Sequence, residues 1–303
     1  KSKIDLKKLK KIKIEDALLK ILSSPNHSNK SWITDQYDQM VMCDTVQKSG
    51  ADAAVIRIHG KKKAIAVSVD SSSNYCKAHP LTGGKQIVCE NWRNLISVGA
   101  KPIAITNCLN FGNPENPKIM GEFAECLIGI KESCEFLNYP VVSGNVSFYN
   151  GTNNKNISPT PVIGGIGLIQ NLENPVDHRF KKANSCIIIV GKTLGHLEQS
   201  TFMEENYSIL DGQPPEINLI NEKNNGEAIL EIIRNGYASA VHDISSGGLL
   251  VALAEMSLAG NIGVKIDKPR KLTNLFKYYF GEDQSRYILE IDNNLLEKVR
   301  KMF

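Results

Sequence analysis

The sequence has 303 residues, of which 42% are hydrophobic and 22% charged; this balance is typical of globular proteins and excludes a disordered or fibrous chain. No run approaches the roughly 20 apolar residues of a membrane span, and the basic start at residues 1–13 lacks the apolar core of a secretory signal. The formal net charge of +4 does not indicate a nucleic-acid partner, because the basic runs are not interleaved with aromatic residues.

The seven cysteines favour a reducing compartment. They are odd in number, widely spaced and form no C-x-x-C pair. A disulfide framework or a zinc site would need tighter spacing. We therefore expect structural thiols in a cytoplasmic protein.

The first part of the chain predicts a mixed α/β domain. Residues 1–30 are a basic lead-in with a short helix. Alternating and helical hydrophobic periodicities then predict, in chain order, a hairpin of strands at 53–58 and 64–69, a helix that ends at Gly99, a strand at 103–106, a helix at 118–138, and strands at 140–143 and 162–169.

A polar stretch at 170–184 separates this part from a second α/β pattern. The apolar run at 186–190 predicts a strand buried on both faces. Helices at 227–235 and 249–259 and a last strand at 286–291 follow. Two mixed α/β domains account for the pattern.

Three polar segments are longer than simple turns. The first, at 106–114, holds three asparagines and a glycine after a strand. Neutral amides can approach phosphate oxygens or a hydrated cation, although the same residues also favour an Asx-type turn that caps the next helix. The spacing alone leaves both interpretations open.

The second segment, at 142–150, contains Gly144, Asn145 and Ser147. A glycine at a strand end lets a ligand approach the backbone, and residues two apart share one face of an extended chain. Asn145 and Ser147 could therefore present an amide oxygen and a hydroxyl together. A solvated turn explains the segment equally well.

The third segment, at 242–252, places Asp243 before a Ser-Ser-Gly-Gly run that opens a helix. The free N–H groups of a helix N-terminus can bind an anion, and Asp243 could hold a metal. A cluster of capping residues is the simpler interpretation. The sequence has no phosphate-binding P-loop and no dinucleotide-binding fingerprint.

Taken together, these segments resemble the second half of the small-type phosphoribosylformylglycinamidine synthases, the PurL family. The similarity runs from about residue 12 to the end. It is carried by residues 106–114 and 140–150, and also by residues 32–46, 50–55, 159–161 and 281–286.

The resemblance implies a fold shared with PurM. An N-terminal α/β domain at 31–172 has a sheet that pairs with a counterpart, a link occupies 173–184, and a C-terminal α/β domain at 185–303 is incomplete at its end. The loop at 195–200 and Ser246 depart from the family pattern, which counts against phosphate or metal binding by the second domain.

The resemblance also implies an ATP-dependent carbon–nitrogen ligase of purine synthesis. ATP activates the amide oxygen of formylglycinamide ribonucleotide, glutamine-derived ammonia displaces the phosphate, and formylglycinamidine ribonucleotide results. By position, Asn107 and Gly144 are implied as ATP contacts, Asn145 as a Mg²⁺ ligand and Ser147 as a substrate contact. Magnesium takes oxygen ligands and bridges phosphates, which fits these residue types.

Implied partners are a PurQ-type glutaminase subunit and a small PurS-type bridging subunit, with neither nucleic acid nor a membrane. The family's catalytic histidine belongs to the N-terminal half, so we expect no catalytic residue here and no activity from this chain alone. An isolated half could also form a two-fold homodimer. Two alternatives stay open: a non-catalytic nucleotide-binding scaffold, and a PurM-like kinase or cyclo-ligase that uses residues 70–73 as a nucleotide loop.

Overall fold

The computed structural model describes residue 4 and residues 11–173, 175–267 and 274–303. Its strands form a six-stranded sheet in the order β1-β2-β3-β8-β4-β5, a three-stranded sheet in the order β10-β11-β9, and a small hairpin of β6 and β7. The strands are β1 Thr45–Gln47, β2 Ala54–Arg57, β3 Ala64–Asp70, β4 Lys101–Asn110, β5 Val141–Ser147, β6 Gly151–Thr152, β7 Lys155–Asn156, β8 Thr160–Ile169, β9 Cys186–Val190, β10 Ala238–Asp243 and β11 Tyr287–Ile291.

Helices flank both sheets, which confirms the predicted mixed α/β class with two domains. They are α1 Ile14–Leu22, α2 Ser31–Thr34, α3 Ser73–Ala78, α4 Pro80–Ser97, α5 Pro117–Leu137, α6 Thr201–Tyr207, α7 Leu219–Arg234, α8 Gly248–Gly260, α9 Leu275–Phe280 and α10 Leu296–Arg300. Among the described residues, no helix has both the length and the apolar character that a bilayer crossing needs.

The large sheet is covered on one face by α4 and α5. Strands β2 and β3 form the predicted antiparallel hairpin, and α4 ends where Gly99 adopts a left-handed φ of 79°. Ile105 and Ile163 point toward the helices and are almost fully buried. This layer forms the main hydrophobic core.

The opposite face of the large sheet is open. Alternate strand residues point to opposite sides of a sheet, so the neighbours of the core residues lie on this face. They include large apolar side chains that are 37% to 67% exposed: Ile56, Ile65, Val69, Ile103 and Ile166. No described residue of this chain covers them.

The second domain corrects two predictions, one about strand β9 and one about helix α7. β9 is an edge strand that is mostly half-buried, whereas central β11 is the strand buried along its whole length. A run of apolar residues indicates that both faces of a strand are packed, but it does not tell whether the strand has a neighbour on each side in the sheet. Helix α7 also begins eight residues earlier than predicted, since the Asn218 side chain caps it by accepting from Asn221 N at 3.0 Å.

A buried guanidinium joins the two sheet domains. Arg93 on α4 is fully buried, and its Nη1 donates to both carboxylate oxygens of Glu222 at 2.9 Å. Its Nη2 donates to Oε1 of Gln284 at 2.8 Å, and its Nε lies 3.6 Å from Oδ2 of Asp243. One side chain of the first domain thus neutralises carboxylates of the second.

Two further buried contacts cross the same interface. Asp52 Oδ1 lies 2.7 Å from Nδ1 of His242, and the Tyr75 hydroxyl donates to the Glu282 carboxylate. These bonds satisfy charges that would otherwise be left unpaired away from water.

Replacing Arg93 by leucine is expected to lower the free energy of unfolding by about 3–5 kcal/mol, because Glu222 would remain buried without its partner. Urea unfolding measures the change. The control Arg300→Leu removes an exposed ion pair with Glu297 and should change stability by less than about 0.5 kcal/mol. Equal losses in the two variants would show that Arg93 does not hold the domains together.

Glu90, which lies beside this interface, predicts a pH dependence. Burial and the nearby Asp70 carboxylate raise the pKa of Glu90 from 4.5 to about 8. Between these two pH values the folded protein holds a proton that the unfolded chain has released, so the free energy of unfolding falls as pH rises.

Above pH 8, the Glu90→Gln variant should therefore have a higher free energy of unfolding than the parent. The difference between the two proteins should shrink toward pH 4.5. Chemical unfolding of both proteins across this range tests the sign. A pH-independent difference would contradict a raised pKa for Glu90.

Candidate functional site

Asn107 and Gly144 lie within strands, not on the predicted loops. β4 continues to Asn110 and β5 continues to Ser147. The two strands pair in parallel, with Asn107 opposite Gly144 and Ser147 opposite Asn110. The sequence predicted loops because asparagine is disfavoured in strands. That prediction was wrong, because the pairing of β4 with both β5 and β8 stabilises the extended backbone at these residues.

Asn107 and Gly144 touch on the helix-covered face of the sheet. Asn107 lies opposite Ile163 of β8, and the Ile163 side chain is buried under the helices. The Asn107 side chain therefore points to the same, helix-covered face. A Cβ atom added to Gly144 would overlap Oδ1 of Asn107 and would lie 2.8 Å from its backbone oxygen. Glycine is therefore required for the Asn107 side chain to lie across β5.

Asn145 and Ser147 share the opposite, open face, as their spacing predicted. The Asn150 amide donates to Ser147 Oγ at 3.1 Å and to the Phe111 carbonyl at 3.0 Å, which fixes the end of the strand. The Asn145 amide makes no hydrogen bond to any residue that the structure describes, and it is exposed. It is free to meet a ligand.

β5 gives access to both faces because it is an edge strand. Residues 141–146 are exposed, and no other strand of the described chain pairs with the outer edge of β5. Such an edge presents unpaired N–H and C=O groups. The four predicted site residues are thus within reach of one ligand that crosses this edge, although their side chains lie on two faces.

A cavity of about 490 Å³ opens beside Asn107, between α5 and the start of β5. Its walls are mainly apolar and include Leu127, Ile130 and Val141. The sequence did not indicate it, because a cavity depends on how the helix and the edge strand pack.

In the third polar segment, a carboxylate of this chain already accepts from the backbone N–H at the start of the helix. The N–H of Gly247, at the start of α8, donates to Glu282 at 2.7 Å, and Thr201 N donates to the same oxygen at 2.8 Å. No side chain of the segment caps the helix. A carboxylate 35 residues away supplies the expected anion, and no local sequence signal could have indicated this.

The neighbouring backbone loop is filled in the same way. The N–H groups of Leu194, Gly195 and His196 donate to the Asp283 carboxylate at 2.8, 2.8 and 3.1 Å. These donors are consequently not available to a phosphate.

Asp243, a candidate metal ligand, lies in a buried cluster that already contains positive charge. Asp52, His242 and Asp243 place ligand atoms within 4.8 Å of one another. Burial and the Asp52 carboxylate raise the pKa of Asp243 to about 7. Burial opposes the charge of His242, but the Asp52 carboxylate raises the pKa of His242 well above its ordinary value. His242 and Arg93 lie beside the carboxylates of this cluster and reduce its net negative charge.

Asp70, at the start of the kinase-like loop, is also engaged. It accepts from the amides of Asn91 and Asn94, each at 2.7 Å, and from the Ser68 hydroxyl at 2.8 Å. These bonds assign Asp70 to the interior of the first domain, which disfavours a nucleotide loop at 70–73.

Two family models match the chain. The N-terminal domain of AIR synthase related proteins matches residues 50–169, and the C-terminal domain matches residues 182–303. The phosphoribosylformylglycinamidine synthase subunit PurL of Pelagibacter ubique is 55% identical over 300 residues, which are 99% of this chain and 41% of that protein. The chain spans less than half the length of the curated relatives that it matches.

Solved structures agree. The PurLQS structure from Thermotoga maritima has a TM-score of 0.63 at 25% identity and covers 88% of this chain and 38% of that one. T. maritima PurL complexed with ATP has a TM-score of 0.60 at 26% identity, with the same coverage.

Gly144→Ala is expected to lower the free energy of unfolding by about 1–3 kcal/mol, because the new methyl group overlaps Asn107. Gly144→Ala combined with Asn107→Ala should recover part of the loss, which a double-mutant cycle in urea measures. The control Gly121→Ala, on the exposed side of α5 with no neighbour near the added methyl, should stabilise by about 0.5–1 kcal/mol. Strict additivity of the first two substitutions would contradict the contact.

Proposed function

Because this chain belongs to the AIR synthase related family, we propose that it forms the C-terminal half of a PurL-type phosphoribosylformylglycinamidine synthase. Residues 31–172 and 185–303 would be its two domains, and the enzyme would work in the cytoplasm. One observation carries the proposal: Asn107 touches Gly144 on one face of exposed strand β5, and Asn145 and Ser147 share the other face.

The proposed reaction joins ammonia to formylglycinamide ribonucleotide at the expense of ATP. The amide oxygen of the substrate attacks the γ-phosphorus of ATP and releases ADP. Ammonia then adds to the activated carbon, and phosphate leaves with the former amide oxygen. Asn107 and Gly144 contact ATP, and Ser147 hydrogen-bonds the ribonucleotide.

Asn145 could supply one of the oxygen ligands of a magnesium ion. Asn145 offers an exposed amide oxygen that has no protein partner among the described residues. Magnesium is commonly bound through one or two protein ligands plus substrate phosphates, so the remaining ligands would come from ATP and from the counterpart half. A bound ion would neutralise phosphate oxygens during transfer.

The open face of the large sheet supports a counterpart. Its exposed isoleucines and valines form an apolar surface that would cost free energy if left in water. We propose that the N-terminal half of the synthetase covers it and supplies the catalytic residue. A PurQ-type glutaminase and a PurS-type subunit would deliver ammonia, which agrees with the related structure being named PurLQS.

In the complete synthetase, Asn145→Ala should lower kcat/KM for ATP at least about 100-fold, because a ligand to the phosphate-bridging cation is lost. Ser147→Ala should raise KM for formylglycinamide ribonucleotide about tenfold through the loss of one hydrogen bond. Steady-state assays with ammonia as nitrogen donor measure both.

The matched control is Asn224→Ala, on the exposed side of α7, which should leave both constants unchanged. If all three variants retained the parent activity, β5 would not be part of the active site. If the parent enzyme itself bound ATP but showed no turnover, the scaffold alternative would hold.

A further inference from the structure

We propose that Asn150 is a positioning residue for Ser147. It fixes the Ser147 hydroxyl as a hydrogen-bond acceptor, so that this hydroxyl meets an O–H or N–H group of the ribonucleotide and not its phosphate. The inference rests on the proposed function, because it names what Ser147 offers to the substrate of that reaction.

The chain turns back sharply at the end of β5 and brings Asn150 beside Ser147. Tyr149 adopts a left-handed φ of 59°, a conformation that a bulky residue rarely takes. Its backbone N–H donates to Gly112 O at 3.0 Å. The backbone N–H of Asn150 donates to Phe111 O at 3.2 Å, so the segment that follows β4 holds the turn. Such conformations persist where the surrounding structure determines them, and they are common at ligand sites.

The contacts of the Asn150 side chain determine its orientation. One of its two terminal atoms lies 2.9 Å from Ser147 O and 3.0 Å from Phe111 O. Because carbonyl oxygens only accept hydrogen bonds, this atom must be the amide nitrogen Nδ2. The amide oxygen Oδ1 is consequently an acceptor for the neighbouring hydroxyl, and Ser147 Oγ donates to it at 3.2 Å.

This bond commits the proton of the Ser147 hydroxyl. A serine hydroxyl has one hydrogen to donate and two lone pairs that accept. Asn150 Oδ1 takes the hydrogen, and Nδ2, 3.1 Å from Oγ, donates to one lone pair. The second lone pair is left for a ligand. An ionised phosphate offers acceptor oxygens, whereas ribose hydroxyls and amide N–H groups can donate, so Ser147 suits the latter groups of formylglycinamide ribonucleotide.

The pair lies where a ligand can reach it. Ser147 and Asn150 are both half-buried, and Asn145 on the same face of β5 as Ser147 is exposed. The N–H of Ile157 donates to the Asn150 carbonyl at 3.2 Å, at the base of the β6–β7 hairpin. Backbone bonds thus hold Asn150 from both neighbouring segments. Loss of its amide should therefore release the Ser147 hydroxyl without releasing the chain.

The test is a double-mutant cycle in the complete synthetase, with ammonia as nitrogen donor and formylglycinamide ribonucleotide as the varied substrate. Ser147→Ala should raise KM about tenfold, and Asn150→Ala should raise it about fivefold. Neither should change kcat, because the contact binds substrate and transition state alike. The double variant should show only the tenfold increase of Ser147→Ala, since Asn150 affects KM through Ser147.

Asn218→Ala is the matched control. It removes an asparagine that accepts from the backbone at the start of α7, in the second domain, so it should lower the thermal midpoint and leave KM unchanged. A second measurement uses the dephosphorylated substrate, formylglycinamide ribonucleoside, as a competitive ligand. Ser147→Ala should weaken its binding by the same factor of about ten, because the contact does not involve the phosphate.

A KM about fiftyfold above the parent in the double variant would show that Asn150 acts independently of Ser147. That result would overturn the inference and leave the ATP-dependent function intact. Equal binding of the nucleoside to the parent and to Ser147→Ala would also overturn it, because the serine would then meet the phosphate. A parent enzyme without turnover would contradict the proposed function itself. If Asn150→Ala does not fold, the nucleoside comparison decides alone.

Discussion

Strands β4 and β5 pair in parallel with Asn107 opposite Gly144, and the candidate site depends on this register. A shift of one residue would exchange the two faces of β5, moving Asn145 toward the helices and Gly144 toward the open side. The contact between the Asn107 amide and the missing side chain of Gly144 opposes such a shift, because every other residue at position 144 would collide with Asn107. The same glycine thus sets both the register and the shape of the ligand site.

The interface between the domains uses a different principle. Arg93, Glu222 and Asp243 are withdrawn from water, which costs solvation free energy that their mutual attraction only partly offsets. Removing one partner would leave the others buried and unpaired, so the network favours the arrangement in which Arg93 meets both Glu222 and Asp243. Glu282 and Asp283 are two further buried carboxylates, and each accepts hydrogen bonds from backbone N–H groups of the second domain.

Much of this organisation is readable from the sequence, and the failures have identifiable causes. The β2–β3 hairpin, the left-handed Gly99 just after α4 and the extent of α5 follow from local periodicity and turn chemistry. The shared face of Asn145 and Ser147 follows from the two-residue repeat of a strand. Two features could not be predicted from the sequence: the strand conformation of residues 106–110 and the bond from Gly247 at the start of α8 to Glu282. Both depend on partners that are distant in sequence. The relation between Asn107 and Gly144 is of the same kind, since 37 positions separate them and only the parallel pairing brings them together.

The most direct measurement is a crystal structure of the complete synthetase with magnesium and a non-hydrolysable ATP analogue. The account predicts that the nucleotide lies at the edge of β5 in contact with Asn107 and Gly144, with its phosphates toward Asn145. A nucleotide bound at the start of α8 or in the loop at 194–196, with β5 free of ligand, would contradict it.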